Sequence, residues 1–333
     1  MTMAVIHPNE APDGDTGMPL DPRKFADPDR TATGEPRASV AFTGFETLWF
    51  NTGTICNLTC RYCYIESSPT NDRLVYLSTD EVRGYLDEIG DLGWVVPEIG
   101  FTGGEPFVNP DFLAMLRLSL KRGHRALVLT NAMRPMMKQA PALLDLKARF
   151  GDDLVLRVSL DHYSRPVHEA ERGPHSWEPA IAGLVWLARN GFNVRVAGRT
   201  FTGEDEALIR AGFAHLFTAC DIPVAADDPS ALVLFPEMDA AANVPEITTS
   251  CWEKLQVDPA AMMCATSRMV VKRKGAARPE VVPCTLIPYD TAFDMGPTLA
   301  GAIGAVKLNH PHCARFCVLG GGSCSVTSDT RPS

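Results

Sequence analysis

The feature that most constrains the fold of this chain is a repeated alternation between short β-type runs and longer amphipathic stretches. Six runs rich in β-branched and aromatic residues follow one another, at residues 46–51, 98–102, 125–130, 154–160, 193–198 and 231–235. Such an alternation is typical of βα units that build a parallel sheet. Six units do not close an eight-stranded barrel, so the sequence predicts an α/β fold with a partial, TIM-like (β/α)6 barrel. In sheets of this class, ligands bind at the carboxyl ends of the strands.

The segments between the runs carry helix signals. Residues 78–81 read Ser-Thr-Asp-Glu, which is a capping box and predicts the start of a helix. Pro110 and Asp111 open a second helix with an apolar face, and Gly123 ends it. A third amphipathic helix is predicted from Ala180 to Arg189.

The flanks of this region differ from it in composition. Residues 1–43 are rich in Pro, Asp, Gly and Thr and show no periodicity, so we expect a flexible N-terminal tail before a barrel spanning residues 44–240. Six of the ten cysteines fall within the last 83 residues, with a hairpin-like stretch at residues 270–282 between two of them. Residues 241–333 are therefore predicted to form a second, small domain that a bound metal stabilises.

Charge and composition argue against several classes of protein. A formal net charge of −9 is unfavourable for binding nucleic acid, and the run Lys272-Arg273-Lys274 is interpreted as a solvated loop. No run of about 18 apolar residues is present, and the N-terminus lacks a secretory pattern. We therefore expect a soluble, cytoplasmic protein with neither nucleic-acid nor membrane partners. Ten cysteines in a reducing compartment then indicate metal binding or catalysis rather than disulfides.

Three of these cysteines, Cys56, Cys60 and Cys63, lie in one loop directly after the first strand. Three thiolates can bind three irons of a cubane 4Fe-4S cluster and leave the fourth iron open to a ligand. A structural zinc ion would ordinarily take four protein ligands. A zinc loop with a distant fourth ligand is the alternative interpretation.

Polar motifs follow the next three strands. Gly103, Gly104 and Glu105 come after the second strand, where a glycine pair lets the backbone approach a ligand closely. Thr130 and Asn131 end the third strand, although a helix cap would use the same residues. Arg157, Ser159 and Asp161 alternate along the fourth strand and therefore share one face.

With these motifs in this order, residues 46–240 resemble the radical S-adenosylmethionine (AdoMet) superfamily. The resemblance implies that the three cysteines hold a 4Fe-4S cluster that cleaves AdoMet to a 5'-deoxyadenosyl radical, which then abstracts hydrogen from a substrate. It also implies an AdoMet site formed by Tyr62 near the adenine, Gly103, Gly104 and Glu105 at the amino group, and Thr130, Asn131, Ser159, Arg172 and Arg199. Asp161 and His162 are candidate catalytic residues. His162 stands where the family usually has glycine, and a structural role is the alternative for it.

The C-terminal cysteines resemble the twitch or SPASM extensions of this superfamily, which hold auxiliary 4Fe-4S clusters. Two all-cysteine clusters need eight thiols, and this region has six, so one auxiliary cluster is the economical interpretation. The expected ligands are Cys264, Cys284, Cys313 and Cys317, with Cys324 as a possible replacement. A structural zinc site is the alternative, because zinc also takes four thiolates.

The resemblance implies an oxidoreductase that modifies a small molecule or a peptide and receives electrons from a donor such as flavodoxin or ferredoxin. Within the same class, the alternative is a peptide- or protein-modifying maturase. From a different class, the alternative is a zinc or iron-sulfur scaffold without turnover. The polar strand ends favour the enzyme, since a scaffold has no need of an amino-acid-binding cleft.

Overall fold

The computed structural model describes residues 19–200, 202–236 and 243–322. Its strands are β1 (Ser39–Val40), β2 (Thr47–Asn51), β3 (Glu98–Thr102), β4 (Arg125–Thr130), β5 (Leu154–Ser159), β6 (Asn193–Arg199), β7 (Leu232–Phe235), β8 (Ser267–Val271), β9 (Glu280–Val282) and β10 (Val306–Lys307). Its α-helices are α1 (Thr79–Asp91), α2 (Phe112–Lys121), α3 (Arg134–Met137), α4 (Ala140–Phe150), α5 (Arg165–Arg172), α6 (Trp177–Arg189), α7 (Glu206–Ala219), α8 (Cys251–Leu255) and α9 (Met263–Thr266).

The main sheet contains, within the described residues, eight strands in the order β7-β6-β5-β4-β3-β2-β8-β9. Neighbouring strands from β7 through β8 are parallel, and β9 is antiparallel to β8. All six predicted strands form, each within one residue of the predicted bounds. The predicted α/β architecture with a parallel sheet is confirmed.

The two faces of the sheet bury different sets of side chains, because successive residues of a strand point to opposite sides. Leu48, Phe101 and Leu156 belong to the core between the sheet and the helices. Trp49 and Met269 belong to a second core on the other face. The N-terminal and C-terminal segments cover that second face, so the sheet is buried on both sides.

The capping box predicted at the start of α1 is present. The Ser78 hydroxyl accepts a hydrogen bond from the Glu81 amide at 3.3 Å, and the Glu81 carboxylate accepts one from the Ser78 amide at 2.9 Å. Val82, Leu86 and Ile89 then lie on the buried face of the helix. Local sequence therefore accounts for both the start of α1 and the side that it packs.

The C-terminal region shares a sheet with the barrel, across the boundary predicted near residue 240. The predicted hairpin forms between β8 and β9, but β8 also pairs with β2, from Thr47 opposite Ser267 to Phe50 opposite Val270. This pairing satisfies the open side of β2 and buries Met269 against the inner face. The barrel sheet is thus completed by a strand from the cysteine-rich region.

Residues 19–43 do not form the flexible tail that composition predicted. Arg37 is buried and pairs with Glu246 at 2.5 Å, and Glu246 also accepts hydrogen bonds from the backbone amides of Phe25 and Ala32. Val40 is fully buried, and β1 pairs with β10. Distant acceptors therefore satisfy the polar groups of this segment. Residues 1–18, also assigned to the tail, lie outside the described residues.

The basic run near residue 273 is neutralised by carboxylates. Lys272 pairs with Glu81 at 2.5 Å, and Arg273 and Lys274 each pair with an aspartate, Asp294 and Asp72, at 2.6 Å. Paired cations of this kind are poorly suited to bind phosphates.

None of the helices in the described ranges has both the length and the apolar character needed to cross a bilayer.

Candidate active site

A cleft with an open mouth, about 1120 Å³ including that mouth, lies at the carboxyl ends of the barrel strands. Thr102, Thr130, Ser159 and Arg199, each the last residue of its strand, contribute to its wall. The predicted site residues that line it are Cys56, Cys60, Tyr62, Cys63, Gly103, Gly104, Thr130, Asn131, Ser159, Asp161, Arg172 and Arg199. The parallel strands therefore bring to one place residues that are more than 140 positions apart.

The loop of residues 56–63, called here the three-cysteine loop, presents its thiols to one end of the cleft. The Cys56 sulfur accepts a hydrogen bond from the Leu58 amide at 3.4 Å, and the Cys63 sulfur accepts one from the Ser67 amide at 3.3 Å. Burial raises the pKa of Cys56 to about 12. The free Cys56 thiol is therefore protonated, and a bound metal would displace its proton.

A glycine pair lies directly against the segment that leads into this loop. The Gly104 amide donates to the Gly53 carbonyl at 2.8 Å. A Cβ atom at Gly104 would stand 2.2 Å from the carbonyl oxygen of Ile55, and one at Gly103 would stand 2.5 Å from that of Gly53. Gly103 also has a φ of 135°, which glycine adopts without strain. Only glycine fits at this contact between the turn after β3 and the segment that leads into the three-cysteine loop.

Glu105 lies beneath the cleft rather than in its lining among the described residues. Its carboxylate accepts hydrogen bonds from the Thr130 hydroxyl at 2.9 and 3.0 Å, the Asn131 amide at 2.9 Å and the Phe107 amide at 3.3 Å. Burial raises the pKa of Glu105 to about 7, against the effect of these hydrogen bonds. In this conformation Glu105 joins the turn after β3 to the end of β4.

Thr130 and Asn131 connect that carboxylate to the three-cysteine loop. The Asn131 side-chain amide donates to the Asn57 side chain at 2.9 Å, and its carbonyl oxygen accepts from the Met133 amide at 3.1 Å. Both residues are buried and both reach the cleft. They therefore form part of the cleft wall, whereas α3 begins after Met133 without a side-chain cap, so the helix-cap alternative is not supported.

Asp161 and Arg172 form a buried ion pair in the cleft wall. Two nitrogens of Arg172 donate to the two carboxylate oxygens of Asp161, at 2.8 and 2.9 Å. Burial acts to raise the pKa of Asp161, but the charge and hydrogen bonds of Arg172, together with the charge of Arg199, outweigh it and hold that pKa below its ordinary value. Asp161 is thus an ionised partner that orients Arg172. The positive charge of Arg172 acts to lower the pKa of the Cys60 thiol, although burial raises that pKa overall.

His162 is buried outside the cleft lining in the described part of the chain. One ring nitrogen lies 2.8 Å from the Glu204 carboxylate, and the other lies 2.9 Å from the Ser164 hydroxyl. Tyr163 donates to the same Glu204 at 2.8 Å. These contacts fix the turn after β5 to the segment after β6, which supports the structural alternative for this histidine.

Tyr62 lies on the rim of the cleft between two cationic side chains. The guanidinium carbons of Arg61 and Arg199 lie 5.1 and 5.6 Å from the centre of its ring. Arg199 also lies 3.5 Å from Glu171, whose backbone carbonyl accepts a hydrogen bond from the Arg61 amide at 2.8 Å. The end of α5 is thereby tied to the three-cysteine loop.

A second, smaller cavity contains the other predicted thiols. Cys264, Cys284, Cys313 and Cys317 all line it, together with apolar side chains such as Met262. We call it the four-cysteine pocket. The elements that supply these thiols lie on the inner face of the sheet, so four residues spread over more than 50 positions meet there. Cys324 falls outside the described residues.

Comparison with known proteins identifies the region around the cleft. Residues 50–210 match the model of the Radical SAM superfamily, and this range contains the three-cysteine loop and the ends of β2 through β6. The chain carries a radical SAM domain. The resemblance inferred from its motifs is therefore confirmed for the barrel.

Relatives of this radical SAM domain include proteins with different products. The chain is 33% identical over 147 residues to the antilisterial bacteriocin subtilosin biosynthesis protein AlbA of Bacillus subtilis, covering 44% of this chain and 31% of AlbA. It is 29% identical over 145 residues to the AdoMet-dependent heme synthase of Methanosarcina barkeri, covering 42% of this chain and 38% of that protein. The matched stretch thus spans about a third of the length of these relatives.

Among solved structures, the fold is similar to that of Streptococcus suis SuiB bound to S-adenosylmethionine. The TM-score is 0.56 at 12% identity, covering 76% of this chain and 63% of that chain. SuiB has also been solved bound to the precursor peptide SuiA. At this identity the similarity establishes the shared fold of the radical SAM domain.

The sequence did not single out three apolar residues of the cleft. Phe235, Leu286 and Phe316 line it, and Leu286 also lines the four-cysteine pocket. The rings of Phe235 and Phe316 have their centres 5.5 Å apart. Their positions depend on how the C-terminal segment packs on the inner face of the sheet, and no local motif signals that packing.

Proposed function

We propose that this chain is a radical SAM enzyme that binds a 4Fe-4S cluster at Cys56, Cys60 and Cys63 and AdoMet in the adjoining cleft. The observation that carries the proposal is the convergence of three thiols and four polar strand ends on one cleft. When bound, the cluster and AdoMet supply a one-electron cleavage that yields a carbon radical able to take hydrogen from a substrate. The donor set fits, since three thiols leave one iron position open.

The residues of the cleft bind and orient rather than react. The turn at Gly103 and Gly104 lets a ligand approach the backbone, and Ser159 offers a hydroxyl at the end of β5. Arg172 and Arg199 are cations that suit the AdoMet carboxylate. We assign to Asp161 the role of holding Arg172 in place, and to Glu105 that of holding the turn after β3 on β4.

We also propose one auxiliary 4Fe-4S cluster in the four-cysteine pocket. Among the described residues, no three His, Cys, Asp or Glu side chains converge closely enough to share a single metal ion. The four thiols line one cavity, and four thiolates are the ligand set of an all-cysteine 4Fe-4S cluster. Among the described residues, Leu286 is the one that lines both the cleft and the four-cysteine pocket, so the two cavities are neighbours. A cluster in that pocket could therefore accept an electron from a substrate in the cleft, which favours an oxidative reaction.

The proposed substrate presents an apolar group to Phe235, Leu286 and Phe316 and is either a peptide or a small molecule. The relation to a bacteriocin biosynthesis protein and the fold shared with a protein that binds a precursor peptide support the peptide. The relation to an AdoMet-dependent heme synthase supports the small molecule. A flavodoxin or ferredoxin is the proposed electron donor.

Anaerobic reconstitution tests the proposal. The wild type and a Cys56→Ala, Cys60→Ala, Cys63→Ala variant are loaded with iron and sulfide, desalted and analysed for iron, zinc and labile sulfide. Each is then reduced with dithionite in the presence of AdoMet, and 5'-deoxyadenosine is quantified. We expect about eight irons in the wild type and about four in the variant by the thiol count, with 5'-deoxyadenosine formed only by the wild type.

The matched control is a Cys220→Ala variant, because Cys220 lies in neither cavity among the residues described and should leave both readouts unchanged. Tight zinc in place of iron, with no 5'-deoxyadenosine, would refute the enzyme and leave a metal-bound scaffold. Four irons in the wild type and none in the variant would refute the auxiliary cluster alone.

A further inference from the structure

Arg268 is a fully buried cation, the second residue of β8. Within the described residues, its guanidinium donates only to backbone carbonyls. These are the carbonyls of Ala302 and Cys264 at 2.6 Å, Ser267 at 2.7 Å and Gly304 at 2.9 Å. Its hydrogen bonds are thus satisfied, while its charge has no carboxylate within 4 Å in that part of the chain.

Two other arginines with little exposed side chain, Arg37 and Arg172, differ in that respect. Arg37 pairs with Glu246 at 2.5 Å, and Arg172 pairs with Asp161 at 2.8 Å. Moving a charge from water into a protein interior is strongly unfavourable unless an opposite charge lies close by. Arg268 therefore needs a source of negative charge other than a carboxylate.

The groups that can supply it are thiols of the four-cysteine pocket. The Arg268 guanidinium bonds directly to the backbone of Cys264, and its charge acts on the Cys264 and Cys284 thiols. The ring of Phe42 lies over the guanidinium at 4.4 Å and excludes water from it. The cation is thus held in an apolar setting on the Cys264 side of the pocket.

We propose that Arg268 is the counter-charge of the auxiliary cluster. A 4Fe-4S cluster held by four thiolates carries net negative charge, and a fixed cation bonded to the backbone of one of the four ligands stabilises it and raises its reduction potential. The inference rests on the proposed auxiliary cluster. Arg268 is a positioning residue that acts through the cluster, and it touches neither cleft nor substrate.

The test uses the full chain with Cys56, Cys60 and Cys63 changed to Ala, so that only the auxiliary cluster can form. Arg268→Gln removes the charge and retains donors to the carbonyls, whereas Arg268→Lys retains the charge. The readouts are iron per chain after anaerobic reconstitution and the midpoint potential from an electron paramagnetic resonance titration. We expect Arg268→Gln to weaken binding of the reduced cluster about tenfold more than binding of the oxidised cluster. For a one-electron couple, this tenfold difference lowers the midpoint potential of the cluster by about 59 mV. Arg268→Lys should shift by less than half as much.

The matched control is the double variant Arg37→Gln, Glu246→Gln, which removes a buried pair without changing net charge. It tests whether disturbing the inner core alone moves the potential, and we expect no shift. Equal potentials in Arg268→Gln and the parent, or equal shifts in Arg268→Gln and Arg268→Lys, would overturn the counter-charge role. If the parent itself binds no iron, the proposed auxiliary cluster fails, which is a different result from a cluster whose potential ignores Arg268.

Discussion

At the scale of single residues, Gly104 is the position where backbone geometry most directly constrains the site. A Cβ atom there would stand 2.2 Å from the Ile55 carbonyl oxygen, which is backbone and cannot rotate away. We therefore expect Gly104→Ala to lower the free energy of unfolding by about 1–3 kcal/mol, as overpacking typically does. Urea denaturation of the metal-free protein measures the change.

The matched control for Gly104→Ala is Gly90→Ala. Gly90 lies within α1, has an ordinary helical backbone, and has no atom within 4 Å of a Cβ built there. Alanine at that position should raise the free energy of unfolding by about 0.5–1 kcal/mol. Equal effects of the two substitutions would mean that the backbone at Ile55 yields easily to the added methyl group.

The buried carboxyl of Glu105 predicts a pH dependence of stability. Because burial raises its pKa from 4.5 to about 7, the folded state holds this proton more tightly than the unfolded state between those values. Stability from this group is full below pH 4.5 and falls as pH rises to about 7, by about 3 kcal/mol. Glu105→Gln does not titrate, so its stability relative to wild type should increase from pH 5 to pH 8.

Urea denaturation of the metal-free wild type and of Glu105→Gln at pH 5 and pH 8 measures this difference. Other ionisable groups affect both proteins alike and cancel in the comparison. Glutamine has one acceptor oxygen for the donors of Asn131 and Phe107, so it lowers stability by a constant amount at both values of pH. A gap between the two proteins that does not change with pH would show that Glu105 ionises normally.

The residue types of the site could be predicted from sequence, but the orientation of several side chains could not. The three-cysteine loop and the Gly103-Gly104 turn follow strands that local patterns identify. Glu105 and His162 belong to the same motifs, yet they turn away from the cleft because distant partners, Thr130 and Glu204, bind them. Such partners lie 25 and 42 positions away, and no local pattern specifies them.

At the scale of elements, β8 makes the C-terminal region part of the barrel. It pairs with β2 over four residues and buries Met269 and Val270 on opposite faces of the sheet. A chain that ends at Pro236 would expose one side of β2 and the inner-face side chain of Trp49. We therefore expect it to lose the cooperative unfolding transition of the full chain.

Circular dichroism during thermal unfolding, together with amide hydrogen exchange of β2, measures this loss. The matched control is a chain that begins at Leu20, which keeps Phe25 and Arg37 and should unfold as the full chain does. A cooperative transition and protected β2 amides in the chain ending at Pro236 would instead support an independent barrel with the boundary expected near residue 240.

The predictability of each element follows the range of its contacts. β2 through β7 are specified by runs of apolar residues and by the helices between them, so their bounds could be predicted within one residue. The role of β8 could not, because its partner β2 lies some 220 positions earlier. Burial of residues 19–43 likewise depends on Glu246, more than 200 positions away. Polar composition signals a loose segment only where no distant acceptor satisfies it.

At the scale of the whole molecule, the two sets of thiols differ in how much chain they connect. Cys56 to Cys63 spans one loop after β2, whereas Cys264 to Cys317 spans about seven times as many positions and several elements of the inner core. A group bound at four points restricts the unfolded chain more when the enclosed segment is longer. By loop-closure entropy, the auxiliary site should stabilise the fold by about 2 kcal/mol more than the three-cysteine loop.

We therefore expect removal of iron by an anaerobic chelator to lower the unfolding midpoint mainly through the four-cysteine pocket. The comparison is between Cys56→Ser, Cys60→Ser, Cys63→Ser and Cys264→Ser, Cys284→Ser, each measured by calorimetry before and after reconstitution. Loading with iron should raise the unfolding midpoint of the three-cysteine-loop variant nearly as much as that of the wild type. It should raise the midpoint of the four-cysteine-pocket variant only slightly, because a ligand stabilises a protein when it binds the folded state and not the unfolded state. The opposite order would mean that the C-terminal segment is held on the sheet by its apolar contacts alone, with Phe316 and Val306 sufficient to keep it there.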